Sequence, residues 1–531
     1  MTQHHLLSRL VVSVRSIPWA WWVLGAFLLV GIFVRTYHFH DWLRFNADQS
    51  RDAGIVSSVI RGETSWPLLG PKAGGTDFRL GSAFYVFQIA SATMFGDRPD
   101  AMAYPDLLMS ILAIPLLYAF LRLYFDRRIA FSLTAIFVVS LYAVKYSRFA
   151  WNPNSLPFWT LLFVYALHRV LFFGGDVKKR WAVALGGALG IGVQLHTLTL
   201  IVLPMATAAA FVFLALRREK GVGKFCLIVF SVATLLNSGQ IASEIQTGGK
   251  NTAAFFSAIG TKGGKGSGMV ANVGKDAVCF VQSGVLILTS YESSDTCEIK
   301  SIGEGRNGIF FVGGIILFVG GTVLAIRSFR RELDRAKRYF LAIVFLYGGA
   351  VFLLLVPLAN EISMRFFLLS VFVPFALLGL WFEFLSEKFP ERAFPIMVLI
   401  ALILVLANVA ALRRTFAEYA SFMDARSKAG MDNVLLWEVE EAAGFILDHA
   451  GGAKTVSIDG DSKYLFKAMK SIRYLTEQHG VDIVQQKKKE TVSYPAFLVE
   501  NTKRNEDTRE EYPNTKAWKV IGRFTIFQLS S

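Results

Sequence analysis

Apolar residues run in long unbroken stretches separated by short polar breaks, a pattern that predicts membrane-crossing helices rather than alternating strands. Runs of roughly 17 to 25 residues, the length that spans a bilayer, fall near 17–35, 104–124, 129–147, 155–173, 181–197, 199–217, 225–241, 308–326, 339–357, 365–385 and 394–412. The chain is therefore expected to cross eleven times, with its termini on opposite sides. The apolar stretch Ser82 to Phe95 is read as a juxtamembrane helix lying along the outer surface. Counted as a crossing, it would put Arg127 and Arg128 outside.

Sidedness follows from the basic clusters, because Lys and Arg beside a span resist translocation. Arg127 with Arg128, Lys178 to Arg180, Arg217 with Arg218, Lys220 and Lys224, and the run Arg327 to Arg338 all fall on one side, read as the cytoplasm. The first outer loop (36–103), the connection Tyr146 to Asn154 and the loop 242–307 then face outward. After the last span, residues 413–531 turn charged and much less apolar. A helix (Val434 to His449), a strand (Thr455 to Ile458), a helix (Ser462 to Met469) and strands at Val481–Val484, Ala496–Val499, Trp518–Ile521 and Phe524–Leu529 are expected, a small extracytoplasmic α/β domain. The rest, 1–412, is the membrane module, with no cleaved leader expected and the N-terminus cytoplasmic.

Composition agrees and narrows the classes. The 531 residues are 53% hydrophobic and only 18% charged, with a mean hydropathy of +0.45, which excludes an ordinary soluble enzyme. A formal charge of +15 suits phosphate and anionic lipid; with this membrane character, nucleic acid is not expected as a partner. Three cysteines are too few for a disulfide scaffold, and no Cys/His spacing suits zinc. Cys279 and Cys297 share an outer loop, where a bridge and two free thiols are both open. No cofactor is implied, and a divalent ion is left open. The Gly/Lys-rich stretch Gly260 to Gly268 lacks the GxxxxGK[ST] spacing of a phosphate loop and is read as a flexible substrate-side loop.

The stretch Phe45-Asn46-Ala47-Asp48-Gln49-Ser50-Arg51-Asp52-Ala53 concentrates charge just after the first span. Asp48 and Asp52, four apart, share a helix face, and Arg51 can pair with Asp48. A plainer reading is an Asp near a helix start followed by solvated charges.

This stretch resembles the first outer loop of the GT-C membrane glycosyltransferases of the protein mannosyltransferase and aminoarabinose-transferase type, glycosyltransferase family 39. Members carry an Asp-Glu pair, then Arg and a small residue. Asp48, Arg51 and Ala53 fit and Gln49 does not, so Asp48 alone is carried over as the catalytic residue. The likeness continues through Leu69-Gly70-Pro71, Phe78 to Tyr85, Phe95-Gly96-Asp97-Arg98-Pro99, Ser147 to Asn154, Gln194-Leu195-His196-Thr197 and Met364-Arg365-Phe366-Phe367.

The resemblance implies a GT-C helical fold and an inverting transfer of sugar from a polyprenyl-phosphate donor to an acceptor hydroxyl on a protein, lipid or glycan, at the outer face of a bacterial inner membrane. Such a reaction needs a base for the acceptor and cations for the departing phosphate. Asp48 suits the base, and Arg51, Lys72, Arg79, Arg148 and Arg365 the phosphate, with Asn152 and His196 as further donor contacts. Duller roles stand beside these: a snorkelling anchor for Arg365, a hydrogen-bonded core histidine for His196, headgroup contacts for Lys72 and Arg79. A flippase of polyprenyl-linked glycans would show inverted repeats and midplane charges. A non-catalytic scaffold is the third class.

Overall fold

The computed structural model describes residues 18–172, 175–263, 268–292, 297, 306–423, 433–460, 462–485, 495–502, 510 and 515–530. All eleven predicted spans are helical where described. Five stand as single long apolar helices, Trp19–Thr36, Pro99–Leu121, Thr197–Leu216, Arg335–Leu355 and Ala393–Ser421. The run at 308–326 forms Arg306–Ile315 and Gly321–Arg331 joined through a π turn, Ile316–Gly320. Two runs bend sharply: Val222–Leu236 meets Ser238–Thr247 at 65°, and Met364–Ser370 meets Phe372–Lys388 at 64°. By length and composition, seven helices among the described residues can cross a membrane, or nine if each bent pair counts once. The remaining predicted spans are shorter or more charged helices, Arg127–Val139, Leu156–Phe172 and Gly175–Gly192.

The run at 129–147 breaks at Ser140 into Arg127–Val139 and Leu141–Lys145. Irregular backbone at membrane depth survives only where protein serves its polar groups. Here the Ser140 hydroxyl donates to the Ile287 carbonyl at 2.8 Å, and the Leu141 amide donates to Ser290 Oγ at 3.0 Å. Asn408, wholly buried, contacts the same break and hydrogen-bonds Ser290.

Cation contacts gather the basic clusters at one end of the bundle. Arg127 lies over Trp19, Arg128 over Phe394, and Lys178 over Phe225. Arg335 pairs with Glu219, and Arg327 with Glu387. The Asp48 region occupies the opposite end.

The 242–307 segment differs from the expected loop. It holds helices Lys250–Gly263 and Met269–Thr289, the second apolar and long enough to cross. Lys275 near its start hydrogen-bonds Asn360, and Ser290 at its end meets Leu141 and Asn408. Neither end contacts the basic rim among the described residues. Gly260 to Gly263 finish a helix rather than a loop, and 264–267 lie outside the described residues. Cys279 and Cys297 are joined in a disulfide.

Strands β1 (Leu69–Lys72) and β2 (Arg79–Gly81) pair by themselves, whereas beyond Ser421 β3 (Thr455–Gly460), β4 (Asp482–Gln485), β5 (Ala496–Asn501), β6 (Thr515–Ile521) and β7 (Phe524–Leu529) form a five-stranded sheet of order β4-β3-β5-β7-β6. β4, β3 and β5 run parallel, and β7 is antiparallel to both of its neighbours, β5 and β6. Helices Leu436–His449 and Ser462–Glu477 accompany the sheet.

Candidate active site

Helix Ala47–Ile60 follows the first span by a ten-residue connection. At its start Gln49 turns inward and is 4% exposed: its Oε1 accepts from the Asn46 amide, and its Nε2 donates to the Ala150 carbonyl. The residue at the position of the family's second acid thus closes the helix end and ties it to the 146–154 connection.

Asp48 points outward, its side chain 58% exposed. Arg51 Nη1 donates to Asp48 Oδ1 at 2.9 Å, whereas Oδ2 accepts nothing among the described residues. The other edge of the same guanidinium grips Asp52: Nε to Oδ1 at 3.0 Å and Nη2 to Oδ2 at 3.1 Å. Asp52 is 1% exposed and also accepts from the Tyr85 hydroxyl at 2.9 Å. Burial lifts its carboxyl from 3.8 to about 6, against the pull of Arg51 and Tyr85. Burial, with the Asp52 charge, raises the Tyr85 phenol in turn. The i, i+3, i+4 spacing of Asp48, Arg51 and Asp52 aligns the three on one helical face.

Two further cations border this face. Arg44, in the connection before the helix, stands over the Phe149 ring at 5.0 Å. It lies within electrostatic reach of Asp48, Arg365 and Tyr146, and burial lowers its pKa. Its Nε is buried without a partner. Arg365, exposed at the start of the 3-10 turn Met364–Ser370, lies over Trp151 at 5.1 Å and Phe366 at 5.6 Å. Neither guanidinium makes an ion pair among the described residues. Arg44 also lines a small cleft with Lys145, Arg148, Phe149, Trp42 and Tyr419.

Residues 83–237 match the sequence profile of the family described as dolichyl-phosphate-mannose-protein mannosyltransferase. ArnT from Cupriavidus metallidurans bound to undecaprenyl phosphate superposes with a TM-score of 0.55 at 11% identity, over 96% of this chain and 97% of that one. Its apo state gives 0.53 at 10% identity over the same shares. The Archaeoglobus fulgidus oligosaccharyltransferase, apo form, gives 0.49 at 15% identity, covering 89% of this chain and 65% of that one. The chain has the GT-C glycosyltransferase fold. The resemblance to the protein mannosyltransferase and aminoarabinose-transferase type holds. No curated protein sequence matches this chain.

The remaining candidates separate by what their side chains contact. Arg148, 4% exposed, donates to the carbonyls of Arg35 (2.8 Å), Tyr37 (2.8 Å) and His38 (3.1 Å), and lies against the rings of Phe39 and Phe416. It caps the end of the first span, where carbonyls lack helical partners. Asn152 donates to the Leu195 carbonyl at 2.7 Å, and His196 caps helix Thr197–Leu216 through Nδ1. The His196 ring also meets Phe366, one residue from Arg365. Lys72 is exposed and paired with Asp77 at 2.9 Å. Arg79 donates to the Gly70 carbonyl, and its backbone is bonded both ways by Asn251. It lies within electrostatic reach of Tyr85. Sequence reasoning did not find Arg44, Tyr85 or the burial of Asp52. Arg44 belongs to no motif, Tyr85 ends the Phe78 to Tyr85 likeness with nothing in the sequence to mark its hydroxyl, and a helical wheel does not say which charged face is covered.

Proposed function

We propose that this GT-C chain is an inverting glycosyltransferase that moves a sugar from a polyprenyl-phosphate donor to an acceptor hydroxyl at the outer face of a bacterial inner membrane. The carrying observation is Asp48, an exposed carboxylate with one oxygen anchored by Arg51 and, among the described residues, the other left open, beside the guanidinium groups of Arg44 and Arg365, which make no ion pair among those residues. The acceptor proton passes to Asp48 Oδ2 as the acceptor oxygen bonds to the anomeric carbon. The bond from that carbon to phosphate oxygen breaks on the opposite face, and polyprenyl phosphate leaves against the guanidinium pair.

The lipid chain has a fitting place. An apolar cleft between the spans is lined by Phe280, Phe318, Gly348, Gly349, Phe352 and Leu380. At its edge Phe280 packs on Phe367, two residues beyond Arg365. A phosphate at Arg365 then sits above a slot that accepts prenyl carbons. That ArnT binds undecaprenyl phosphate supports the same donor class here.

Membranes of cells expressing the chain, which supply donor and acceptor, are expected to release polyprenyl phosphate with wild-type protein. Asp48→Asn should bind undecaprenyl phosphate within about twofold of wild type yet turn over at least about a hundredfold more slowly, the size of a general-base contribution. Equal turnover by the two proteins would remove Asp48 as the base.

A further inference from the structure

The site's second carboxylate stands at Asp52 instead of the position after Asp48. We propose that Asp52 is a positioning residue of this site, holding Arg51 in the one orientation that anchors Asp48 Oδ1 and leaves Oδ2 open. This rests on the glycosyl-transfer reading and deepens it.

Three observations carry it. First, the Arg51 guanidinium is shared unequally. Nε and Nη2 engage Asp52 as a two-pronged fork, and Nη1 alone reaches Asp48. A fork of two parallel N–H···O bonds fixes the plane of a guanidinium where a single bond would let it swing. Arg51 itself is about half exposed, so nothing but that fork and the Asp48 contact restrains its tip among the described residues.

Second, Asp52 is nearly sealed from solvent, and an ionised carboxylate in such a place costs several kcal/mol unless it is paired and hydrogen-bonded. A neutral or apolar side chain would fill the volume at less cost. The fork and the Tyr85 hydroxyl meet that requirement together. The arrangement joins helix Ala47–Ile60 to helix Ala83–Phe95, so the base is referenced to two elements rather than to one mobile surface chain.

Third, the charge balance favours a working base. A guanidinium facing Asp48 alone would hold the acceptor's proton acceptor in a tight ion pair. Bound first to Asp52, it offers Asp48 one hydrogen bond and only part of its charge. Tyr85 and Arg79 are the other titratable groups near this pair.

A double-mutant cycle tests the proposal on the full-length protein in membranes of expressing cells, reading release of polyprenyl phosphate, with undecaprenyl phosphate binding and thermal unfolding measured in parallel. Asp52→Asn is expected to lower kcat at least about tenfold while the KM for donor stays within about threefold. Arg51→Gln is expected to lower kcat similarly. The double variant, which replaces the ion pair by two amides, should be no worse than the poorer single variant within about threefold, since both act through one guanidinium. Losses that multiply, a KM that rises with the fall in kcat, or an Asp52→Asn protein equal to wild type would each overturn the role of Asp52. Should Asp52→Asn fail to fold, Tyr85→Phe, which removes one bond to Asp52 and keeps the fork, is expected to lower kcat about threefold with unchanged donor binding, and no loss would overturn the proposal. A wild-type protein that releases no polyprenyl phosphate overturns the glycosyl-transfer reading itself, and this proposal with it.

Discussion

Arg365 and Arg44 differ from Arg148 in what already occupies their N–H groups. Arg148 has spent both terminal nitrogens on three carbonyls, so it has little left for a ligand; Arg365 stacks on two rings and makes no ion pair among the described residues. Hydrogen bonds to charged groups contribute about 1.5–3 kcal/mol. Arg365→Ala should therefore weaken undecaprenyl phosphate binding at least about tenfold, with little change in melting temperature. Arg148→Ala should do the reverse, lowering the melting temperature because carbonyls are left unsatisfied beside a buried gap. Binding isotherms and thermal unfolding of the two proteins separate the cases, and a common pattern in both would contradict this division of roles.

Short elements hold the site in register with the spans. β1 (Leu69–Lys72) and β2 (Arg79–Gly81) pair as an antiparallel hairpin. Their glycines meet face to face: a Cβ on Gly70 would fall 2.1 Å from the Gly81 carbonyl oxygen, and one on Gly81 would strike the Gln194 side chain. Gln194 accepts from the Ala83 amide and donates to the carbonyls of Gly190 and Leu236, pinning the hairpin and the Tyr85 helix to two spans. Backbone cannot yield as a side chain tip can, and overpacking of this kind costs about 1–3 kcal/mol. Gly70→Ala is expected to lower the melting temperature by several degrees. Gly74→Ala, whose added methyl meets open space, should leave it unchanged. Equal melting by both variants would show the hairpin to be loosely held.

The whole molecule closes through its C-terminal sheet region, which packs directly on the site helix. Residues 43–46 exchange backbone bonds with 434–436, Ser471 donates to the Phe45 carbonyl, and Ser57 shares its hydroxyl with Tyr474 and Asp97. A buried ion pair, Arg523 with Glu438, lies against Phe422 at the end of the last span. His40 brings an imidazole to this junction, touching Asp100 at 3.5 Å and Glu440 at 3.0 Å. Hydrogen bonds to Asp100 and then Glu440 raise it from 6.5 to about 10. A group raised on folding contributes stability that is full below its unfolded value and lost as pH climbs through the folded one. The melting-temperature gap between wild type and His40→Gln should be widest below about pH 6.5 and shrink toward pH 10. A gap that is flat across that range would detach His40 from the junction.

The amino-acid order by itself determined the helical spans, the gathering of basic residues at one end, the short helix at Ser82 to Phe95 and the strand-helix pattern of the tail. Each of these responds to a local demand: lipid acts on every segment separately, and so does the cost of carrying Lys and Arg across it. Asp48 stood out as a candidate through the charge concentrated just after the first span and through the family resemblance. The loop at 242–307 was not, since glycine and lysine near its middle outweighed a helical apolar pattern that needed partners at Asn360 and Asn408 to become visible. Tertiary structure alone decided which polar groups face which. Gln49 is an inward cap, Arg148 is consumed by carbonyls, and Asp52 is buried against Arg51 and Tyr85, because those partners lie up to a hundred and more residues away and reach the same point only after the helices pack.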